Sequence, residues 1–217
     1  MGYSHIVFDI DGTLIDSNYA SLLSLQEAIK LCMGTKLSLQ QLCFSIGLPA
    51  DIILKKLNIP DKNIKYVDYV WDKCYQKYLP QILPFSGITN ILEILHKKKY
   101  TLGIITSKTR FEYQKEFESL SIHKYFRYSI CKDDCTQVKP SPEPLYKYIQ
   151  QSNAVTKDII YIGDTQFDME CATNASVDFA LAQWGMIHST IAAKYYLKCP
   201  ADLLLILGEK YEGWNCL

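Results

Sequence analysis

The chain has 217 residues, 48% of them hydrophobic and 21% charged, and its 23 basic residues balance 23 acidic ones. A chain of this size and composition buries a substantial core, which excludes disordered and fibrous classes, and a balanced charge gives no support to nucleic acid or an anionic membrane surface as partner. No apolar run approaches the length that crosses a bilayer and no basic region precedes a long apolar run at the N-terminus, so the expectation is a cytoplasmic protein, neither secreted nor integral. The eight cysteines are scattered, and Cys131 and Cys135 do not have zinc-knuckle spacing; all are read as reduced thiols.

In chain order, an apolar run at 3–8 predicts a strand ending in Asp9-Ile10-Asp11-Gly12-Thr13. Side chains alternate along a strand, so Asp9 and Asp11 start on the same side, and Gly12 lets the chain turn sharply beyond them. Residues 18–81 then show helical periodicity without a strand and predict an inserted helical domain. Within it Tyr66, Tyr69, Val70, Trp71, Tyr75, Tyr78 and Leu79 fall at spacings of three and four, the pattern of a core-facing helical stripe. Beyond the insertion come a helix at 87–98, a strand at 100–105, a helix at 110–119, a strand at 126–130, a helix at 142–151, a strand at 159–162, a helix at 167–174 and a strand at 177–181. The alternation is that of an α/β, doubly wound (Rossmann-like) parallel sheet, in which ligands collect at the carboxyl ends of the strands. The expected domains are therefore a core of residues 1–16 and 82–217 and a helical insertion of residues 17–81.

Polar clusters fall where that architecture puts ligands: Asp9/Asp11, Thr106-Ser107-Lys108, Lys139-Pro140, and Gly163-Asp164-Thr165-Gln166-Phe167-Asp168. Taken singly, each has a structural reading, because Asp-Gly favours turns, Thr caps helices and a proline fits a first helical turn. His5, His96, His123 and His188 have no partner at a telling spacing and carry no proposed chemistry.

Taken in order, the clusters resemble the motifs of the haloacid dehalogenase-like hydrolase superfamily over nearly the whole chain. The insertion between the first and second motifs resembles the branch that holds phosphoglycolate phosphatase, β-phosphoglucomutase, phosphonatase and pyrophosphatase-like enzymes, with a small helical cap. The resemblance implies a phosphatase in which the Asp9 carboxylate attacks phosphorus to form an aspartyl-phosphate. Asp11 then serves as acid toward the departing oxygen and as base toward the hydrolytic water. It implies Mg2+ held by Asp9, Asp164 and the main-chain carbonyl of Asp11, with Asp168 either at the metal or orienting its waters and Lys139. Lys139, the Thr106 hydroxyl, the Ser107 amide and Gly12 are expected to receive the phosphoryl oxygens. Gly47, in Ser45-Ile46-Gly47-Leu48-Pro49, is expected in a substrate-facing loop of the cap.

The implied partner is a small phosphorylated metabolite (phosphoglycolate-like, sugar phosphate, nucleotide or pyrophosphate), and the expected state a monomer or homodimer. A β-phosphoglucomutase-like phosphotransferase is the main alternative. Against it stand Thr13, where that branch typically resembles Asp-Gly-Val, and an insertion without arginine to grip a transferred sugar phosphate. A noncatalytic module binding a phosphorylated ligand would have no need of both acids of the first motif.

Overall fold

The computed structural model describes residues 2–185 and 191–209. Strand β1 (His5–Phe8) is followed by helices α1 (Asn18–Met33), α2 (Leu39–Leu42), α3 (Ala50–Lys56), α4 (Asp61–Gln76) and α5 (Ile88–Lys97). Then come β2 (Thr101–Ile105), the short α6 (Arg110–Glu112), β3 (Tyr128–Ile130), α7 (Glu143–Ser152), β4 (Ile159–Gly163), α8 (Gln166–Asn174), β5 (Asp178–Ala182), β6 (Tyr195–Leu197) and α9 (Asp202–Ile206). No helix among the described residues is long and apolar enough to cross a membrane.

The chain divides into two compact units. The first comprises Met1–Ile15 and Pro84–Leu217. Its six strands form one parallel sheet in the order β3-β2-β1-β4-β5-β6. Connections run outward from β1 through β2 to β3 on one side and through β4 and β5 to β6 on the other, so strand order reverses between β1 and β4, where open sheets of this kind bind ligands. Phe8 is level with Ile104 of β2 and Ile162 of β4. The first residues past these strands therefore come together at one end of the sheet.

Both faces of the four central strands, β2, β1, β4 and β5, are buried, as in parallel sheets generally. Val7, Ile105, Ile130 and Tyr161 pack with Leu145 and Tyr148 of α7 and Cys171 and Ala172 of α8. By the period-two alternation Phe8 points the other way, meeting Phe126 edge to face at 6.0 Å, with Phe117 beyond it at 5.8 Å. Gly103 leaves room for Tyr148, whose ring would lie 2.1 Å from an added Cβ.

The second unit, Asp16–Leu83, is helical. Leu22, Leu25 and Ile29 of α1, Leu42 of α2, Ile53 and Leu54 of α3 and Val67 of α4 form its core, with Ile64 and Trp71 packed against it. The aromatic stripe expected on α4 is not the core face: Tyr66 and Tyr69 are exposed, at 64% and 58%. The buried seam runs through Ile64, Val67, Trp71 and Cys74, also at intervals of three and four, and Trp71 anchors it by donating its indole N–H to Ser24 Oγ at 3.0 Å. Two neighbouring helical faces satisfy the same periodicity; of the expected aromatics, Trp71 packs against the core while Tyr66 and Tyr69 face outward.

At the junctions, Ile15 bridges Pro84 in antiparallel fashion, and the Asp16 amide donates to the Leu83 carbonyl at 3.0 Å. Cys32, Cys43, Cys74, Cys131, Cys135 and Cys171 are free thiols. Cys199 departs from the expectation of reduced cysteines, being disulfide-bonded. His188 lies outside the described residues.

Candidate active site

The site is assembled where β1, β2 and β4 end. Asp9 directly follows β1, and its amide still donates to Ile162 of β4 at 2.9 Å, so its backbone is fixed by the sheet. The chain then folds back on itself: the amides of Thr13, Leu14 and Ile15 all donate to the Ile10 carbonyl, and Gly12 takes a φ of 75°, open to glycine at little cost. Trp184 secures this loop by donating Nε1–H to the Thr13 carbonyl at 2.9 Å. Gly185 packs so closely beside it that an added Cβ would lie 1.5 Å from the Gly12 oxygen.

Thr106 follows β2, and its amide donates to Ile130 at 3.0 Å, extending the ladder with β3. Its hydroxyl oxygen accepts the Lys108 amide at 3.2 Å. The helix expected over 110–119 is one short turn, α6, capped by the reciprocal Thr109 and Glu112 bonds, and continues as a wider π-turn over Tyr113–Phe117.

Gly163, the last residue of β4, allows α8 to approach: an added Cβ would lie 2.5 Å from Asp168 Cβ. Thr165 caps α8, its hydroxyl accepting the Asp168 amide at 3.2 Å while the Asp168 carboxylate accepts the Thr165 amide at 3.1 Å and its hydroxyl. This capping box locks the Asp168 side chain.

Asp9, Asp164 and Asp168 are all buried, and each offers a carboxylate oxygen within 4.8 Å of the others. One cation sits among them: buried Lys139 places Nζ 2.6 Å from Asp168 Oδ1 and 2.9 Å from Asp9 Oδ1. Tyr161 also donates its hydroxyl to Asp168 Oδ1, at 2.7 Å. Asp164 accepts the Thr13 hydroxyl at 3.1 Å. Burial pushes the Asp9 carboxyl up to about 7; Lys139 opposes this, and neighbouring Asp168 and Asp11 add to it. Burial disfavours the Lys139 ammonium too, but Asp168 and Asp9 outweigh it and hold that group above the ordinary lysine range.

Three carboxylates around one ammonium suit a divalent cation, whose charge would neutralise the excess. Both Asp168 oxygens already accept donors, so Asp9 and Asp164 are better placed than Asp168 to ligate directly. The Asp11 carboxylate is not in this group: it is one-third exposed and faces Lys108 Nζ at 3.1 Å. Asp11 is joined to the site through its position in the Asp9–Thr13 loop. Gly47 belongs to the helical unit, in a turn with φ 81°.

Sequence reading missed Tyr161, which had the signal of a hydroxyl within an otherwise aliphatic buried strand, and the role of the Trp184 indole, whose partner is a main-chain atom far away in sequence. It also gave no role to Glu116.

A parallel sheet whose strand order reverses between β1 and β4, with a buried Asp cluster around a lysine at that point, defines a doubly wound α/β core with an acidic site at its switch point. The family model described as haloacid dehalogenase-like hydrolase matches residues 6–182, and the chain belongs to that family, in the branch of phosphoglycolate phosphatase and PpaX-like phosphatases. Pyrophosphatase PpaX of Halalkalibacterium halodurans is 26% identical over 214 residues, covering 97% of this chain and 99% of that one. Phosphoglycolate phosphatase of Aquifex aeolicus is 26% identical over 205 residues, covering 94% and 96%. The crystal structure of a Lactobacillus plantarum protein assigned as a phosphoglycolate phosphatase superposes with a TM-score of 0.85 at 29% identity, covering 95% of this chain and all of that one.

Proposed function

We propose that this protein is a Mg2+-dependent phosphatase of small phosphorylated metabolites, working through a phosphoryl group carried on Asp9. The observation that supports it most strongly is the buried Asp9 carboxylate, 2.9 Å from Lys139 and clustered with Asp164 and Asp168. An Asp9 oxygen attacks phosphorus, the bond to the leaving oxygen breaks, and Asp11 gives that oxygen a proton; Asp11 then removes a proton from the water that attacks the phosphoryl-aspartate. Asp11 suits this work because its carboxylate is more exposed than that of Asp9.

Bringing an anionic phosphate to Asp9 meets repulsion of about 4 kcal/mol per charge pair at 4 Å and an effective dielectric near 20. Lys139 opposes it directly, and Asp168 with Tyr161 holds that lysine in place. The Thr106 hydroxyl, the Ser107 amide and the Gly12 turn receive the remaining phosphoryl oxygens. Asp9 and Asp164, with the Asp11 carbonyl, would hold Mg2+, which when bound supplies charge neutralisation and orientation of the phosphoryl group. The names of the relatives make pyrophosphate and phosphoglycolate the first substrates to try.

The test is phosphate release from a panel of phosphoglycolate, pyrophosphate, sugar phosphates, nucleotides and p-nitrophenyl phosphate, with Mg2+ and with chelator, for the natural chain and Asp9→Asn. Release that requires Mg2+ and disappears in the variant is expected. Activity retained by Asp9→Asn, in a preparation free of other phosphatases, would mean that another residue is the nucleophile.

A further inference from the structure

The site holds a second lysine whose surroundings the chemistry above does not use. Lys108, two residues past Thr106, lies with Nζ 2.7 Å from Glu116 Oε2 and 3.1 Å from Asp11 Oδ1. The Lys108 side chain is only 11% exposed and that of Glu116 only 5%. Glu116 is presented by the π-turn Tyr113–Phe117, whose end residues Tyr113 and Phe117 are buried and stacked at 5.6 Å. Burial holds the Glu116 carboxyl above its usual range, with Lys108 opposing the rise. A buried ion pair of this sort adds little stability over apolar side chains of similar volume, so stability alone does not account for it.

The two lysines divide the site. Lys139 stands against Asp9, the attacking side, and Lys108 against Asp11, the side from which the leaving oxygen departs. A general acid works within hydrogen-bond reach of the oxygen it protonates, so the Lys108 ammonium falls within roughly 6 Å of that oxygen. A charged substituent just beyond the oxygen comes into the range of direct pairing with Lys108. Glu116 supplies a second anchor, so the lysine stays in place when Asp11 turns to the substrate.

We propose that Lys108, positioned by Glu116, selects substrates whose leaving group carries a negative charge of its own, a carboxylate or a further phosphoryl group. The proposal rests on the phosphatase reading above and names the substrate class that reading leaves open.

The test is the ratio of kcat/KM for pyrophosphate and phosphoglycolate to kcat/KM for p-nitrophenyl phosphate, whose aryl group bears no ionised substituent. Loss of a charge-assisted hydrogen bond predicts that Lys108→Met lowers this ratio roughly 10- to 100-fold, with most of the change in KM. Lys108→Arg should recover part of the loss, and Glu116→Gln should lower the ratio less. If Lys108→Met does not fold because Glu116 is left unpaired, Lys108→Met combined with Glu116→Leu restores an apolar pair and should show the same fall. A ratio unchanged in an active, folded variant overturns the proposal and leaves the phosphatase reading standing. Absence of phosphate release from every substrate by the natural chain overturns both.

Discussion

Lys139 Nζ lies 2.6 Å from Asp168 and 2.9 Å from Asp9, so one ammonium joins the end of β1 to the first turn of α8. Removing one partner of a buried charge group leaves the others uncompensated, at a cost of about 3–5 kcal/mol. Lys139→Met should therefore lower the stability of the metal-free protein by about that amount and abolish turnover. Urea denaturation in chelator reads the first effect and phosphate release the second. A variant as stable as the natural chain would show that the carboxylates are not held as charges.

The raised Asp9 carboxyl has a consequence for stability against pH. An unfolded aspartate titrates at about 3.9, whereas Asp9 in the folded chain titrates at about 7. The folded state keeps the proton longer, so the contribution of Asp9 is fully present below about pH 4 and is lost as pH rises through about 7. In chelator, Asp9→Asn should thus gain in stability over the natural chain as pH goes from 4 to 8. Mg2+ should reverse the order at pH 8 by stabilising only the protein that keeps its carboxylate. Melting curves across that range check both signs, and a gap that does not change with pH would rule out a raised Asp9.

Tyr161→Phe removes one of the donors to Asp168 while Lys139 and Thr165 remain. The expected loss is about 1–2 kcal/mol of stability, with a smaller drop in kcat than for Lys139→Met. Denaturation and steady-state kinetics on the same preparation distinguish this from a tyrosine that only fills space, for which kcat would not change.

Gly163→Ala places a methyl group 2.5 Å from Asp168 Cβ. Relief requires α8 to move away from β4, and overpacking of this sort costs about 1–3 kcal/mol. Because Asp168 holds Lys139, activity should fall more than stability does. The reverse order, stability lost with kcat intact in the folded fraction, would mean that the site tolerates displacement of α8.

Much of the site was legible because its chemistry sits directly after apolar runs. Asp9, Thr106 and Asp164 each follow a strand recognisable from its Val, Ile and Leu content, and alternating strands and helices suffice to bring those ends together. Strand β6 was not legible: Tyr195–Leu197 is a three-residue run bounded by Lys194 and Lys198, whereas the equally short β3 lies where the strand–helix alternation calls for a strand. The face of α4 was misread in part because Tyr66 and Tyr69 share the period of the seam that holds Val67, Trp71 and Cys74. The π-turn and the Lys108–Glu116 pair were also hidden. Their meaning depends on which residues a wider turn carries inward, and local spacing does not encode that.

The paired crossings at Ile15–Pro84 and Asp16–Leu83 bear on how such a chain is assembled. To the sheet, everything between these residues is a loop whose ends are already clasped. Closing a loop costs only about 0.6 kcal/mol more for each doubling of its length. The sheet is accordingly a socket indifferent to the size of what is plugged into it, and a helical insert can be lengthened, shortened or exchanged without retuning the strands that carry Asp9, Thr106 and Asp164.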